Sequence, residues 1–275
     1  MDLGSIMTIF SIMFGLIIGS FLNVCIYRIP LKKSLIHPPS SCPQCGKPIK
    51  FYDNIPVISY LLLFGKCRTC RTPIPIRYPI VELIVGLLSL ALFFRYGLSP
   101  MYFFAFLFVA SLVTISFIDL HHKIIPDIIS LPGILLGIIV SIIPFSQISW
   151  SGTIVSTLPF SQVSWLDSFI GVIGGGGFLF LVAVIFERIT GKEGMGGGDV
   201  KLLAMIGAWM GWRSLPLSIL LASLSGIIIG GGALFLSGRG YRVRIPFGPF
   251  LSLGALIYFF YGTELVTWYF RILLT

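Results

Sequence analysis

Charge is scarce in this 275-residue chain: Lys, Arg, Asp and Glu make up 11% of it, and only 10 residues are acidic. Soluble domains carry about 25% charged residues, so a water-facing surface over the whole molecule is excluded. Histidine is also rare, at 3 residues, and neither H-E-x-x-H nor G-x-S-x-G occurs, which leaves zinc-protease and serine-hydrolase chemistry without support. No G-x-G-x-x-G helix start or other recognisable nucleotide-binding pattern is present. The first apolar segment, Leu3 to Tyr27, has no charge, follows Asp2 rather than a basic stretch, and lacks an A-x-A cleavage site. It therefore reads as a retained spanning helix and not as a removed signal peptide.

What the chain has is apolar length. It is 56% hydrophobic with a mean hydropathy of +0.99, well above the roughly 45–50% of soluble domains. An all-α polytopic membrane protein is expected. A span needs about 20 mostly apolar residues, and hydropathy places about eight: 4–27, 79–95, 101–118, 128–144, 168–187, 199–212, 214–236 and 248–270. The sixth is short. Basic residues stay on the cytoplasmic side. With eight spans and an outside N-terminus, Arg95, Arg213 and Arg271 alone among the 19 Lys and Arg fall outside. Omitting the sixth span would put Arg239, Arg242 and Arg244 on the wrong face. Contact with anionic membrane lipid and the positive-inside bias account for the net charge of +9, so no nucleic acid partner is expected.

Residues 28–78, rich in Pro, Lys, Arg and Cys, form the one stretch suited to a small water-soluble domain. Residues 144–167 hold a near duplication, Pro144 to Trp150 and Pro159 to Trp165. This reads as a hairpin or interfacial loop anchored by Trp150 and Trp165. Gly15-x-x-x-Gly19 and the clusters at Gly171, Gly174 to Gly177, Gly207, Gly211, Gly226 and Gly230 to Gly232 fit close helix packing. The four glycines within 194–198 are too many to continue a helix comfortably, and predict a flexible loop leading into the sixth span.

Cys42-Pro-Gln-Cys45 and Cys67-Arg-Thr-Cys70 are two C-x-x-C pairs separated by 21 residues, close to the spacing of a four-thiolate zinc site. Flanking Lys47, Arg68 and Arg71 favour the thiolate form. Disulfides are the alternative, although a cytoplasmic loop keeps its thiols reduced. Four thiolates close the coordination sphere, so such a zinc is structural and holds together a loop too small to fold on its own core. Cys25, alone in the first span, reads as a small buried apolar residue.

Two acids stand where apolar runs meet basic residues: Asp119, before His121-His122-Lys123, and Asp199, in Gly196-Gly-Gly-Asp199-Val-Lys201. A carboxylate at a membrane edge is costly and points to function. Two on the same cytoplasmic side indicate aspartyl protease chemistry, in which paired carboxylates share one proton and activate water without a covalent intermediate. The plainer alternative for either acid is helix capping or pairing with Lys123 or Lys201. Asp127 competes with Asp119 for the role but stands at the start of the fourth span, where an Asp is a natural cap. Glu82 reads equally well as a helix-end charge or a ligand-binding group. His121 and His122 read as interfacial.

These residues resemble the type IV prepilin peptidases, a family of bifunctional leader peptidases and N-methyltransferases. The likeness covers nearly the whole chain: Gly19-Ser-Phe-Leu-Asn-Val24 with Tyr27-Arg28, both C-x-x-C pairs, Asn54-Ile-Pro56 with Ser59, Arg77-Tyr-Pro79 with Val81-Glu-Leu83, Ile118-Asp119, Pro126-Asp127, and Gly196 to Lys201. The resemblance implies that Asp119 and Asp199 are the catalytic pair and that Cys42, Cys45, Cys67 and Cys70 bind zinc. It implies cleavage of prepilin or pseudopilin leaders after a glycine on the cytoplasmic side of the bacterial inner membrane. Methylation of the new N-terminal residue with S-adenosylmethionine would follow. On this reading residues 1–27 are the first span, 28–78 a zinc-binding loop associated with N-methylation, and 79–275 the peptidase domain. Family members that only cleave lack that loop. The serine-rich 144–167 segment is not associated with the family.

Two other functions fit the residues less well: a protease of the same chemistry acting on another membrane substrate, and a transporter using both acids as ion sites. Basic inner loops would repel a positively charged leader, which makes Glu187 and Glu193 candidates for its recognition.

Overall fold

A computed structural model describes residues 3–143, 163–191, 196–232 and 246–273. The described residues are helical apart from turns, and their only β pairing is two isolated bridges. Among the described residues there are nine α-helices: α1 (Leu3–Arg28), α2 (Ile58–Leu62), α3 (Arg77–Tyr96), α4 (Pro100–His122), α5 (Asp127–Ile142), α6 (Trp165–Thr190), α7 (Gly197–Met210), α8 (Leu215–Ser225) and α9 (Gly248–Leu273). A π-helical turn, Gly226–Gly231, extends α8. All eight expected spans coincide with helices. Six are long and apolar enough to cross a membrane, while α5 is a shorter apolar helix and α7 has 14 residues. At 1.5 Å per residue α7 reaches about 21 Å, short of a hydrocarbon core of about 30 Å.

The described residues divide into two compact units, one up to Thr114 and the other from Ile115 onward. In the first, α1 lies against α3 along small residues. A Cβ on Gly15 would stand 2.5 Å from the Ser89 side chain, and one on Gly19 2.8 Å from the Glu82 Cα. The Gly15-x-x-x-Gly19 seam is therefore a packing surface, as expected. Ser89 closes the contact by donating to the Ser11 carbonyl at 2.6 Å and bonding the Tyr102 hydroxyl of α4 at 2.6 Å.

In the second unit α7 is the central helix. Every residue from Leu202 to Met210 is buried, and α5, α6 and α9 pack around it. An all-round apolar surface of this kind belongs to a helix enclosed by others. Gly171 and Gly207 bring α6 and α7 into backbone contact, since a Cβ on either would lie 2.3 Å or less from the other's carbonyl oxygen. Ser168 donates to the Ala208 carbonyl at 2.7 Å, and the Trp209 indole donates to the Gly133 carbonyl of α5 at 2.8 Å.

Three expectations change. Gly197 and Gly198 form the first turn of α7 rather than a loop, because Ile125 packs where a Gly198 Cβ would stand, 2.8 Å from its own Cβ. Asp127 does not cap α5: Pro126 occupies the N-cap, and the Asp127 carboxylate binds the Lys201 ammonium at 2.7 Å. Trp165 begins α6, which is opened by a Ser164–Asp167 capping box. Residues 144–162 with Trp150, as well as Glu193, Arg239, Arg242 and Arg244, lie outside the described residues.

Candidate active site and metal centre

Asp119 sits in the last turn of α4 and is only 5% exposed. Its Oδ2 accepts the backbone N–H of Gly248 at 3.0 Å. Gly248 is the first residue of α9, so its N–H is one of the free donors at a helix N-terminus, aimed at a charge the helix dipole favours. Asp199 is in the first turn of α7, again at a positive helix end, and its side chain makes no capping bond. It is half-buried. Ile125 packs against both Gly198 and Gly248, joining the two acids through one apolar side chain. Lys201 is held by Asp127 rather than by either acid, so the plainer pairing reading fails for Asp199. His121 and His122 are exposed.

The four cysteines come together at the loop between α1 and α3, with their sulfurs all within 4.8 Å of one another. Cys42 and Cys70 Sγ are 3.7 Å apart. Four thiolates at 2.3 Å from one tetrahedral ion would stand about 3.8 Å apart, so the set fits zinc and leaves no open position for catalysis. None of the four is in a disulfide. The loop achieves this by repeating one turn. Gly46 N–H donates to the Cys42 carbonyl (2.9 Å) and Cys42 N–H to the Lys47 carbonyl (3.0 Å). In the second copy Arg71 N–H donates to the Cys67 carbonyl (3.0 Å) and Cys67 N–H to the Thr72 carbonyl (2.8 Å). The bridges Ser41–Pro48 and Lys66–Pro73 follow the same register. The repeat is visible in Cys42-Pro-Gln-Cys-Gly-Lys-Pro-Ile49 and Cys67-Arg-Thr-Cys-Arg-Thr-Pro-Ile74, had the two halves been aligned.

The turns lower two of the four thiols, whereas the lowering of Cys45 by the Lys47 N–H is outweighed by desolvation and the neighbouring Cys42 and Cys70 sulfurs, which raise it to about 11. The Thr72 hydroxyl, 3.2 Å from the Cys70 sulfur, and the Thr72 N–H bring that thiol down to about 6. The N–H groups of Cys45 and Gln44 lower Cys42. Beside them Arg68 grips Asp53 at 2.6–3.0 Å and holds its carboxyl below the usual range.

Comparison with known proteins identifies the family. The Bacterial Peptidase A24 N-terminal domain matches residues 13–96, and the Type IV leader peptidase family matches residues 106–231. A protein of Pseudomonas putida named prepilin leader peptidase/N-methyltransferase is 36% identical over 91% of this chain and 89% of its own length. The chain belongs to the type IV leader peptidase family. Other members with the same name come from Pseudomonas aeruginosa, 36% identical over 94% of this chain and 92% of that protein, and Aeromonas hydrophila, 37% identical over 94% and 91%. No solved structure matches the chain.

For this member of the family, sequence reasoning named both acids and all four cysteines but missed Gly248. A backbone donor leaves no side-chain signature; the one available signal was Gly248-Pro249 opening the last span opposite a buried acid.

Proposed function

We propose that the chain removes the leader peptide of type IV prepilins and pseudopilins and methylates the residue thereby exposed, with Asp119 and Asp199 as the hydrolytic pair. The observation that carries this reading is the placement of the two carboxylates at the end of α4 and the start of α7, with the Gly248 N–H bound to Asp119 and Ile125 packed against both Gly248 and the Gly198 beside Asp199. The Gly248 N–H fixes Oδ2 of Asp119 and leaves its other oxygen for the proton shared with Asp199. One carboxylate takes a proton from water, which attacks the scissile carbonyl, while the other donates a hydrogen bond to the carbonyl oxygen. Collapse of the tetrahedral intermediate returns a proton to the leaving amine. No covalent intermediate forms.

S-adenosylmethionine supplies the methyl group, and the chain must hold the new N-terminal amine unprotonated and facing the donor. Cys42, Cys45, Cys67 and Cys70 would hold a structural zinc that orders the 28–78 loop, which the reading associates with methylation. The enzyme is a multi-pass protein of the bacterial inner membrane, with its N-terminus outside and both acids at the cytoplasmic face; the distribution of Lys and Arg supports this orientation. Substrates therefore arrive from the cytoplasmic side, with their apolar segments already in lipid. Mass analysis of a synthetic prepilin incubated with the purified protein and S-adenosylmethionine tests both steps. The expected product lacks the leader and carries one added methyl group, whereas an unaltered peptide overturns the reading.

A further inference from the structure

Peptide hydrolysis leaves unused three polar side chains of the first unit that stand where α1 meets the start of α3: Asn23 of α1, and Arg77 and Glu82 of α3. Asn23 is 1% exposed. Its Nδ2 donates to the carbonyls of Gly19 (3.4 Å) and Tyr78 (3.1 Å), which fixes the amide orientation, and its Oδ1 is left without a partner. The buried Nε of Arg77 also has no partner, and its guanidinium lies 5.3 Å over the Tyr78 ring. Glu82, 7% exposed, accepts the Val57 N–H at 2.7 Å through Oε2 and a hydrogen bond from the Ser20 hydroxyl, and still has a lone pair to offer. Val57 caps α2 in the zinc loop, so the cluster lies directly where that loop meets the helix pair.

Buried polar atoms in folded proteins are nearly always paired, and unpaired ones call for a missing partner. What is missing here is a group that donates to Asn23 Oδ1 and Glu82 and accepts from Arg77. An α-amino acid zwitterion has that complement: an ammonium at one end and a carboxylate at the other. A peptide N-terminus has the ammonium but no α-carboxylate for Arg77.

We propose that this cluster binds the amino-acid end of the methyl donor, with Arg77 on its carboxylate and Asn23 and Glu82 on its ammonium. The proposal rests on the methyl-transfer reading above. It places the donor under the zinc loop, and gives the loop a reason to be anchored on Glu82.

The test is calorimetric binding of S-adenosylhomocysteine and of 5′-methylthioadenosine, which lacks the amino-acid end, to the full-length protein in detergent. Wild type is expected to prefer S-adenosylhomocysteine by about 30-fold, the order of one or two charge-assisted hydrogen bonds. Arg77→Gln is expected to abolish that preference while keeping its affinity for methylthioadenosine within about twofold, and Arg77→Lys to fall between. A preference unchanged in Arg77→Gln overturns the proposal. Equal binding of both ligands to wild type also overturns it, without any variant and without touching the methyl-transfer reading. Binding of neither ligand to wild type removes that reading and the proposal together.

Discussion

Gly248 occupies a position that no other residue fills without displacing the acid beside it. A Cβ there would lie 2.7 Å from Asp119 Oδ2 and 3.3 Å from Ile125. Gly248→Ala must therefore push the carboxylate aside and lengthen the N–H bond that holds it. A misplacement of about 1 Å costs on the order of a hundredfold in rate. Leader cleavage by this variant should fall by about that factor, with zinc content unchanged. Asp127 gives the opposite expectation. Its ion pair with Lys201 is exposed, and such pairs contribute about 0–1 kcal/mol, so Asp127→Asn should cleave within about fivefold of wild type. A loss of activity comparable to that expected for Asp119→Asn would place Asp127 in the active site. Asp119 and Asp199 were legible in the sequence because a carboxylate in an apolar run is conspicuous. The role of Asp127 was not, because its partner is 74 residues away along the chain.

At the scale of elements, helix positions followed from hydropathy, while helix ends depended on contacts. The glycines before Asp199 read as a loop because glycine lowers helix propensity. Ile125 packs against Gly198 where no Cβ would fit, and the helix opens one residue earlier, at Gly197, against that preference. The zinc loop shows the converse, a backbone that propensity alone would not choose. Gly46 in the first turn has φ +70°, and Arg71 in the equivalent place of the second has φ +59°. A side chain in that left-handed region costs about 1–2 kcal/mol. Arg71→Gly should therefore stabilise the metal-bound loop by about 1 kcal/mol, read as slower zinc loss to a chelator. Gly46→Ala should accelerate that loss. Faster zinc release from Arg71→Gly would mean that the arginine side chain contributes more than its backbone strain costs.

For the whole molecule, apolar composition and the spacing of basic residues were enough to read an all-helical membrane protein. The division of labour between its parts came from chemistry brought together over long separations. The metal centre and the aspartate pair use different residues and lie in different units, which makes their losses separable. Serine at Cys42, Cys45, Cys67 or Cys70 should release zinc and lower methylation more than cleavage, measured on the same substrate. Full methylation by a metal-free variant would contradict the assignment of the loop.

The central claim, hydrolysis by two carboxylates, is tested most directly by the single-turnover cleavage rate of Asp119→Asn and of Asp199→Asn beside wild type. Zinc content should be measured on each sample. The account predicts that both variants keep their zinc and lose about a thousandfold or more in rate, since one acid must take the proton from water and the other must hydrogen-bond the carbonyl oxygen. Cleavage near the wild-type rate by either variant would contradict it.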